Sequence, residues 1–168
     1  MQKVVFLTCW GTIDKDYGVW KGIYDVEPWH PIVWKVFDKN LINWDYEIVE
    51  VLRKDSLDMN DEDRNKVKQE LSKINNDKII ITHWTDTMIQ TWKALWNIDN
   101  KVVILVGAAR PYSMKNSDAE FNLWYVLWVL DILSENKQYW VYITMNWEVF
   151  DVNNVKKWED GVFRKINN

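Results

Sequence analysis

Short apolar runs alternate along this chain with longer stretches whose apolar positions recur at helical spacing. Val4 to Leu7 is a continuous apolar run of the buried-strand type, and a polar loop containing Gly18 and Gly22 follows it. His30 to Lys39 reads as a helix entered through Pro31 near its first turn. Tyr46 to Leu52 alternates as a strand, and Asn60 to Ile74 places Val67, Leu71 and Ile74 on one helical face. Lys78 to Thr82 and Val102 to Val106 are strands, with a helix over Thr85 to Leu95 between them. Ala119 to Leu133 is a long apolar helix, and Trp140 to Thr144 a further strand. Strands alternating in this way with helices predict an α/β fold. Its expected form is a three-layer, doubly wound, mainly parallel sheet of the flavodoxin/Rossmann-like kind, with helices on both faces. There is no repeat, linker or low-complexity segment.

Composition narrows the classes. A length of 168 residues suits one domain, and 48% hydrophobic residues suffice for a core. The net charge is −4, from 21 basic and 25 acidic residues with no basic block, so no nucleic-acid partner is expected. The single Cys9 excludes an intrachain disulfide. The apolar run after Met1 is too short for a signal peptide, and none approaches the ~18 residues of a membrane span. We therefore expect a cytoplasmic protein that does not enter membranes. Neither G-x-G-x-x-G nor G-x-x-x-x-G-K-[ST] occurs, so nucleotide binding is disfavoured. No cofactor or metal is expected.

Chemistry enters with the residues that follow the strands. Thr8 and Thr12 follow the first, Ser56 and Asp58 the second, Thr85 and Asp86 the third, and Gly107 the fourth. Open α/β sheets bind ligands outside the carboxyl ends of their strands, so these loops are expected to converge on one crevice. Taken singly, Thr85 is better explained as a helix N-cap, and Ser56-Leu57-Asp58 as a solvated turn. Their coincidence in four successive loops favours a site.

The motifs are specific. Thr8-Cys9-Trp10-Gly11-Thr12-Ile13 is similar to the T-G-G-T-I signature of the bacterial asparaginase/glutaminase family. Thr82-His83-Trp84-Thr85-Asp86-Thr87-Met88 resembles its T-H-G-T-D-T-M signature, and Asp55-Ser56-Leu57-Asp58-Met59 its D-S-x-D-M segment. Two further blocks, Val106 to Pro111 and Ser117 to Leu123, and the approach to Lys157 extend the resemblance over nearly the whole chain.

The resemblance implies an L-asparaginase-type amidohydrolase acting on the side-chain amide of asparagine, with glutamine or a related amide as alternatives. Thr12 is then the nucleophile, and Thr85, Asp86 and Lys157 form a second polar group. A threonine hydroxyl needs a base, and a lysine serves where neighbours and burial lower its pKa. Asp86 is expected to hold that lysine and to bind the substrate's α-amino group, while Ser56 binds the α-carboxylate. Gly11, Asp58 and Trp84 are expected to line the substrate site. Helix N-terminal amides after Thr12 and Thr85 favour an anion. The family's loop tyrosine corresponds best to Tyr24, with Tyr17 the alternative. His83 reads as a structural hydrogen-bonder. Full-length members carry a second domain, which is not expected within 1–168, and a homodimer is expected by analogy. Two other readings remain open: an amidase subunit that releases ammonia within a larger complex, as in the tRNA-amidotransferase relatives, and a non-catalytic small-molecule binding module.

One departure is general. The chain has 13 tryptophans and 5 glycines, and Trp10 and Trp84 stand where both signatures have glycine. Trp147 follows Asn146 where a hairpin would take Asn-Gly. Trp92 with Trp96, and Trp124 with Trp128, are four apart on helices, which suits either an aromatic stripe or a small-xxx-small face. We read most of the 13 as glycine positions. A genome that reads UGA as glycine, translated with a table that reads it as tryptophan, produces this pattern. The excess of 17 lysines over 4 arginines fits an AT-rich genome. Indoles at these points are expected to crowd the crevice or turn out to solvent.

Overall fold

The computed structural model describes residues 3–15, 31–39, 45–54 and 58–166. Its main sheet comprises β1 (Val4–Thr8), β2 (Tyr46–Glu50), β3 (Lys78–Thr82), β4 (Val102–Val106), β5 (Trp140–Met145) and β6 (Glu148–Phe150). The strand order is β2-β1-β3-β4-β5-β6, and only the β5–β6 pair is antiparallel. β1, β3 and β4 are buried along their whole lengths, which is why apolar residues run together at the centre of each. Among the described residues four α-helices cover the sheet: α1 (Ile32–Lys39), α2 (Asp61–Lys73), α3 (Met88–Leu95) and α4 (Ala119–Glu135).

Alternation along the strands sorts the core into two layers. Val5, Leu7, Ile79, Ile81, Val103 and Leu105 face Val67 and Leu71 of α2 and Met88 and Leu95 of α3. Phe6, Ile80, Ile104 and Val106 face Val33, Val36 and Phe37 of α1 and Leu123, Leu127 and Leu130 of α4. The expected three-layer, doubly wound fold is therefore present. A small second sheet, β7 (Lys156–Lys157) against β8 (Phe163–Arg164), was not foreseen. Its turn carries Asp160-Gly161, with Gly161 at φ 81°, which was the available signal. Phe163 packs it onto the main core.

Element ends moved where turns intervene. β2 ends at Glu50 rather than Leu52, because the Val51 and Leu52 amides turn back to the Thr8 carbonyl at 3.0 and 3.3 Å. α3 begins at Met88, with Thr85 to Thr87 in a turn ahead of it, so Thr85 is not its N-cap. Among the described residues two tryptophans have left-handed backbones, Trp10 at φ 47° and Trp147 at φ 64°. Asn146, at φ 54°, and Trp147 close the β5–β6 hairpin, and positive φ at both central residues is the type I′ requirement that favours Asn-Gly. Trp34, Trp96, Trp128, Trp140, Trp147 and Trp158 are exposed, whereas Trp92 lies in the core and donates to the Val141 carbonyl.

Candidate active site

The strand order reverses direction at β1, between β2 on one side and β3 on the other. This is the switch point at which flavodoxin-like sheets hold ligands, at the carboxyl end. Both signature motifs leave the sheet here. Cys9 N–H donates to Thr82 O at 3.1 Å, and His83 N–H to Val106 O at 2.9 Å, so the ladder continues one residue beyond β1 and β3. A Cβ on Gly11 would lie 2.5 Å from His83 O and 3.0 Å from Trp84 N, so the main chains of the two loops touch. A Cβ on Gly107 would lie 2.6 Å from His83 O, which brings in the loop after β4. The loop after β2 joins through Lys54 O, which accepts the Trp84 indole N–H at 3.1 Å.

Within this crevice Lys157 donates from Nζ to Thr85 Oγ1 at 2.9 Å and forms an ion pair with Asp86. The lysine arrives on β7, so the small second sheet is what delivers it. Lys157 is partly buried and Asp86 is more exposed, so the triad opens to solvent. His83 is fully buried and sits behind it. Its Nδ1 contacts Trp84 O at 2.8 Å, which requires the proton on Nδ1, and Nε2 then accepts from Thr91 Oγ1 at 2.8 Å. Burial lowers its pKa to about 4, opposed by the bond to Trp84 O. His83 is thus a neutral brace for the loop.

Thr12 opens a single 3-10 turn, Thr12–Asp14, after Gly11. Gly11, Ile13 and Asp14 are buried, and Thr12 alone of the four is partly exposed. Among the described residues no side-chain hydrogen bond engages its hydroxyl. Asp14 N–H donates to Gly11 O at 3.0 Å, and Gly11 N–H donates to Asp14 Oδ2 at 3.2 Å. Sequence reasoning missed Asp14. Its signal was a carboxylate three residues after a turn glycine, the spacing at which a side chain reaches back to a main-chain amide.

Other expectations fare variously. Helix N-terminal amides were expected after Thr12 and Thr85, but a one-turn 3-10 segment follows Gly11 and α3 starts three residues beyond Thr85. Asp58 is exposed at the far end of the β2 loop. Ser56, Tyr24 and Tyr17 lie outside the described residues. Trp84 is buried across the crevice, with Lys15 Nζ 3.9 Å from its ring centre. Trp10 is likewise buried, donating to Glu50 Oε2 at 3.1 Å beneath the Arg53 guanidinium. The blocks over 106–111 and 117–123 form one unit. Asp118 accepts the Ala109 and Arg110 amides, both at 2.9 Å, and Asn122 donates to Gly107 O at 3.0 Å. Among the described residues no group of three or more His, Cys, Asp or Glu side chains could hold a metal ion. No helix among them is long and apolar enough to cross a membrane.

A doubly wound sheet with a polar cluster at its β1/β3 switch point defines the structural class. Comparison with known families places it further: the asparaginase N-terminal domain matches residues 4–167, and the chain belongs to that family. No curated protein matches it in sequence. Among solved structures it is similar to a probable cytoplasmic L-asparaginase from Campylobacter jejuni, with a TM-score of 0.80 and 23% identity over 99% of this chain and 54% of that one. It is also similar to the thermostable L-asparaginase from Thermococcus kodakarensis, with a TM-score of 0.77 and 23% identity over 99% and 52%. The chain thus spans about half the length of these relatives.

Proposed function

We propose that this domain hydrolyses the side-chain amide of L-asparagine, or a related amide, to the acid and ammonia, in the cytoplasm. The observation that carries the reading is the Lys157–Thr85–Asp86 cluster, set at the same sheet edge as Thr12. Thr12 Oγ adds to the amide carbonyl carbon, and its proton passes to the Lys157–Thr85 pair. The C–N bond then breaks, the nitrogen takes that proton, and ammonia leaves. Water hydrolyses the resulting ester, which releases the acid and restores Thr12. Asp86 holds Lys157 and is exposed enough to meet a substrate ammonium. Gly11 and Trp84 supply the main chain beside the reacting carbonyl, while Ser56 and Asp58 as substrate-binding residues and Tyr24 as the loop tyrosine rest on the family resemblance alone.

The test is ammonia release from a panel of asparagine, glutamine and simple amides, with Thr12→Val alongside. Release that disappears in Thr12→Val supports the reading. Binding of asparagine without release would favour the binding-module alternative.

A further inference from the structure

The carboxylate of Asp14 is 7% exposed, and the mechanism above does not use it. It accepts from two separate parts of the chain: the Gly11 amide on Oδ2 at 3.2 Å and the Ile32 amide on Oδ1 at 3.0 Å. Its own amide returns to Gly11 O at 3.0 Å, so Thr12 and Ile13 are enclosed in a ring closed twice by one residue. The next turn of this path is tied down as well. Lys15 N–H donates to Thr12 O at 3.2 Å, and Ser113 Oγ donates to Lys15 O at 3.3 Å.

Burying a carboxylate is costly, so its retention needs a reason. A simple cap would be served by serine or asparagine. Here each oxygen takes an N–H from a different segment. Only a group that accepts on both oxygens meets that demand, since an asparagine would turn its NH2 towards one of the two amides. Ile32 begins α1, whose buried face packs on the sheet, so through Asp14 the turn is fixed to a rigid element rather than to another loop.

We infer that Asp14 is a positioning residue for Thr12: its buried carboxylate locks the main chain around the hydroxyl and anchors it to α1. This rests on the reading of Thr12 as the nucleophile. Burial raises the Asp14 pKa to about 6, against the lowering influence of the Ile32 and Gly11 amides. The Thr82 hydroxyl, which makes no hydrogen bond of ordinary geometry among the described residues, lies near enough to lower it further, as does the Lys35 charge from α1. Among the described residues, the other titratable groups around it are the buried Cys9 thiol after β1, whose pKa burial and Asp14 push upward, Lys15, and Tyr112 ahead of α4. None of them replaces the two-sided acceptor.

The experiment compares wild type with Asp14→Asn in two assays, after a melting curve has shown both to be folded. Asp14→Ser, which keeps one acceptor, is used if Asp14→Asn does not fold. In amide hydrolysis, Asp14→Asn should lower kcat about 10- to 100-fold, the scale of a small misplacement of a reacting group. KM should stay within about twofold, because the lost interaction acts on the enzyme's own group. The wild-type kcat should have an acid limb near pH 6, and the variant should lack it. The second assay is acetylation of Thr12 by p-nitrophenyl acetate, located by mass spectrometry, which does not require the amide to be a substrate. It should slow by a similar factor. Acetylation that depends on Asp14 without any amide hydrolysis would sink the proposed function and leave this inference standing. Equal kcat and equal Thr12 acetylation in wild type and Asp14→Asn would overturn the inference, as would a wild type whose Thr12 is not acetylated.

Discussion

Two buried groups of opposite chemistry should leave compensating marks on stability against pH. His83 titrates at about 4 in the fold, below its ordinary 6.5, because burial disfavours the imidazolium. Asp14 titrates at about 6, above its ordinary 3.8, because burial disfavours the carboxylate. Between about pH 4 and 6.5 the unfolded chain binds a proton at position 83 that the folded chain refuses, so stability falls as pH falls. Between 3.8 and about 6 the folded chain binds a proton at position 14 that the unfolded chain lacks, so stability rises as pH falls. At about 1.4 kcal/mol per pH unit, each gap is worth about 3 kcal/mol, and over about pH 4 to 6 the two cancel. Asp14→Asn should unmask the histidine and lose about 3 kcal/mol of stability between pH 7 and 4 relative to wild type. His83→Gln, which keeps a donor and an acceptor, should gain a similar amount over the same interval. Urea unfolding followed by circular dichroism at half-unit pH steps gives both difference curves, from which the other carboxylates drop out. A lost hydrogen bond shifts such a curve without tilting it. Two flat difference curves would show that neither group is perturbed, and would remove the electrostatic part of the case for Asp14.

Thr12→Val and Lys157→Met should each lower amide turnover at least ~100-fold, measured as ammonia release, and an active Thr12→Val would place the nucleophile elsewhere. Gly11→Ala and Gly107→Ala should each cost ~1–3 kcal/mol in urea unfolding, because the new Cβ would meet His83 O at 2.5 and 2.6 Å. At Trp10 and Trp147, where φ is 47° and 64°, the Gly variant should be more stable than the Ala variant by about 1 kcal/mol. At Trp128, inside α4, the order should reverse by a similar amount. Pairing Gly with Ala removes the indole from both arms and leaves only the backbone preference.

Most of the sheet was legible because its central strands are buried on both faces, and short runs of three to five apolar residues between turn signals fit strands in an α/β rhythm. The crevice was legible for a related reason. In a parallel sheet every strand ends at the same edge, so Thr12, Thr85 and Asp86 could be brought together without knowing one distance. Position along a strand carries no information about what crosses between segments. The approach of Gly11 to the His83 carbonyl, the Asp14 bond to α1 and the delivery of Lys157 on β7 join residues up to 72 apart. Lys157 was placed by resemblance alone, since a lysine pair in a polar tail looks the same whether it is solvated or aimed at an aspartate.

The tryptophans mark the same boundary from the other side. As spacing, Trp92 and Trp96 are one pattern, a pair four apart on a helix. As structure they part: Trp92 is buried and gives its N–H to a strand carbonyl, while Trp96 is 57% exposed. Burial alone does not identify a fitting indole, because Trp10 is 4% exposed and yet holds a backbone that costs any side chain about 1–2 kcal/mol. The informative quantity is the main-chain angle, to which the signature glycine at position 10 and the Asn-Gly hairpin pattern at position 147 already pointed. At Trp10 and Trp147 the fold keeps the conformation that glycine prefers although indoles occupy it. At Trp84 the indole instead spans the crevice between Lys54 and Lys15. The backbone path at these positions is therefore set by the sheet edge and the hairpin rather than by the side chain that fills them. Under the proposed function, an amide substrate approaching Thr85 would share the crevice with the ring of Trp84.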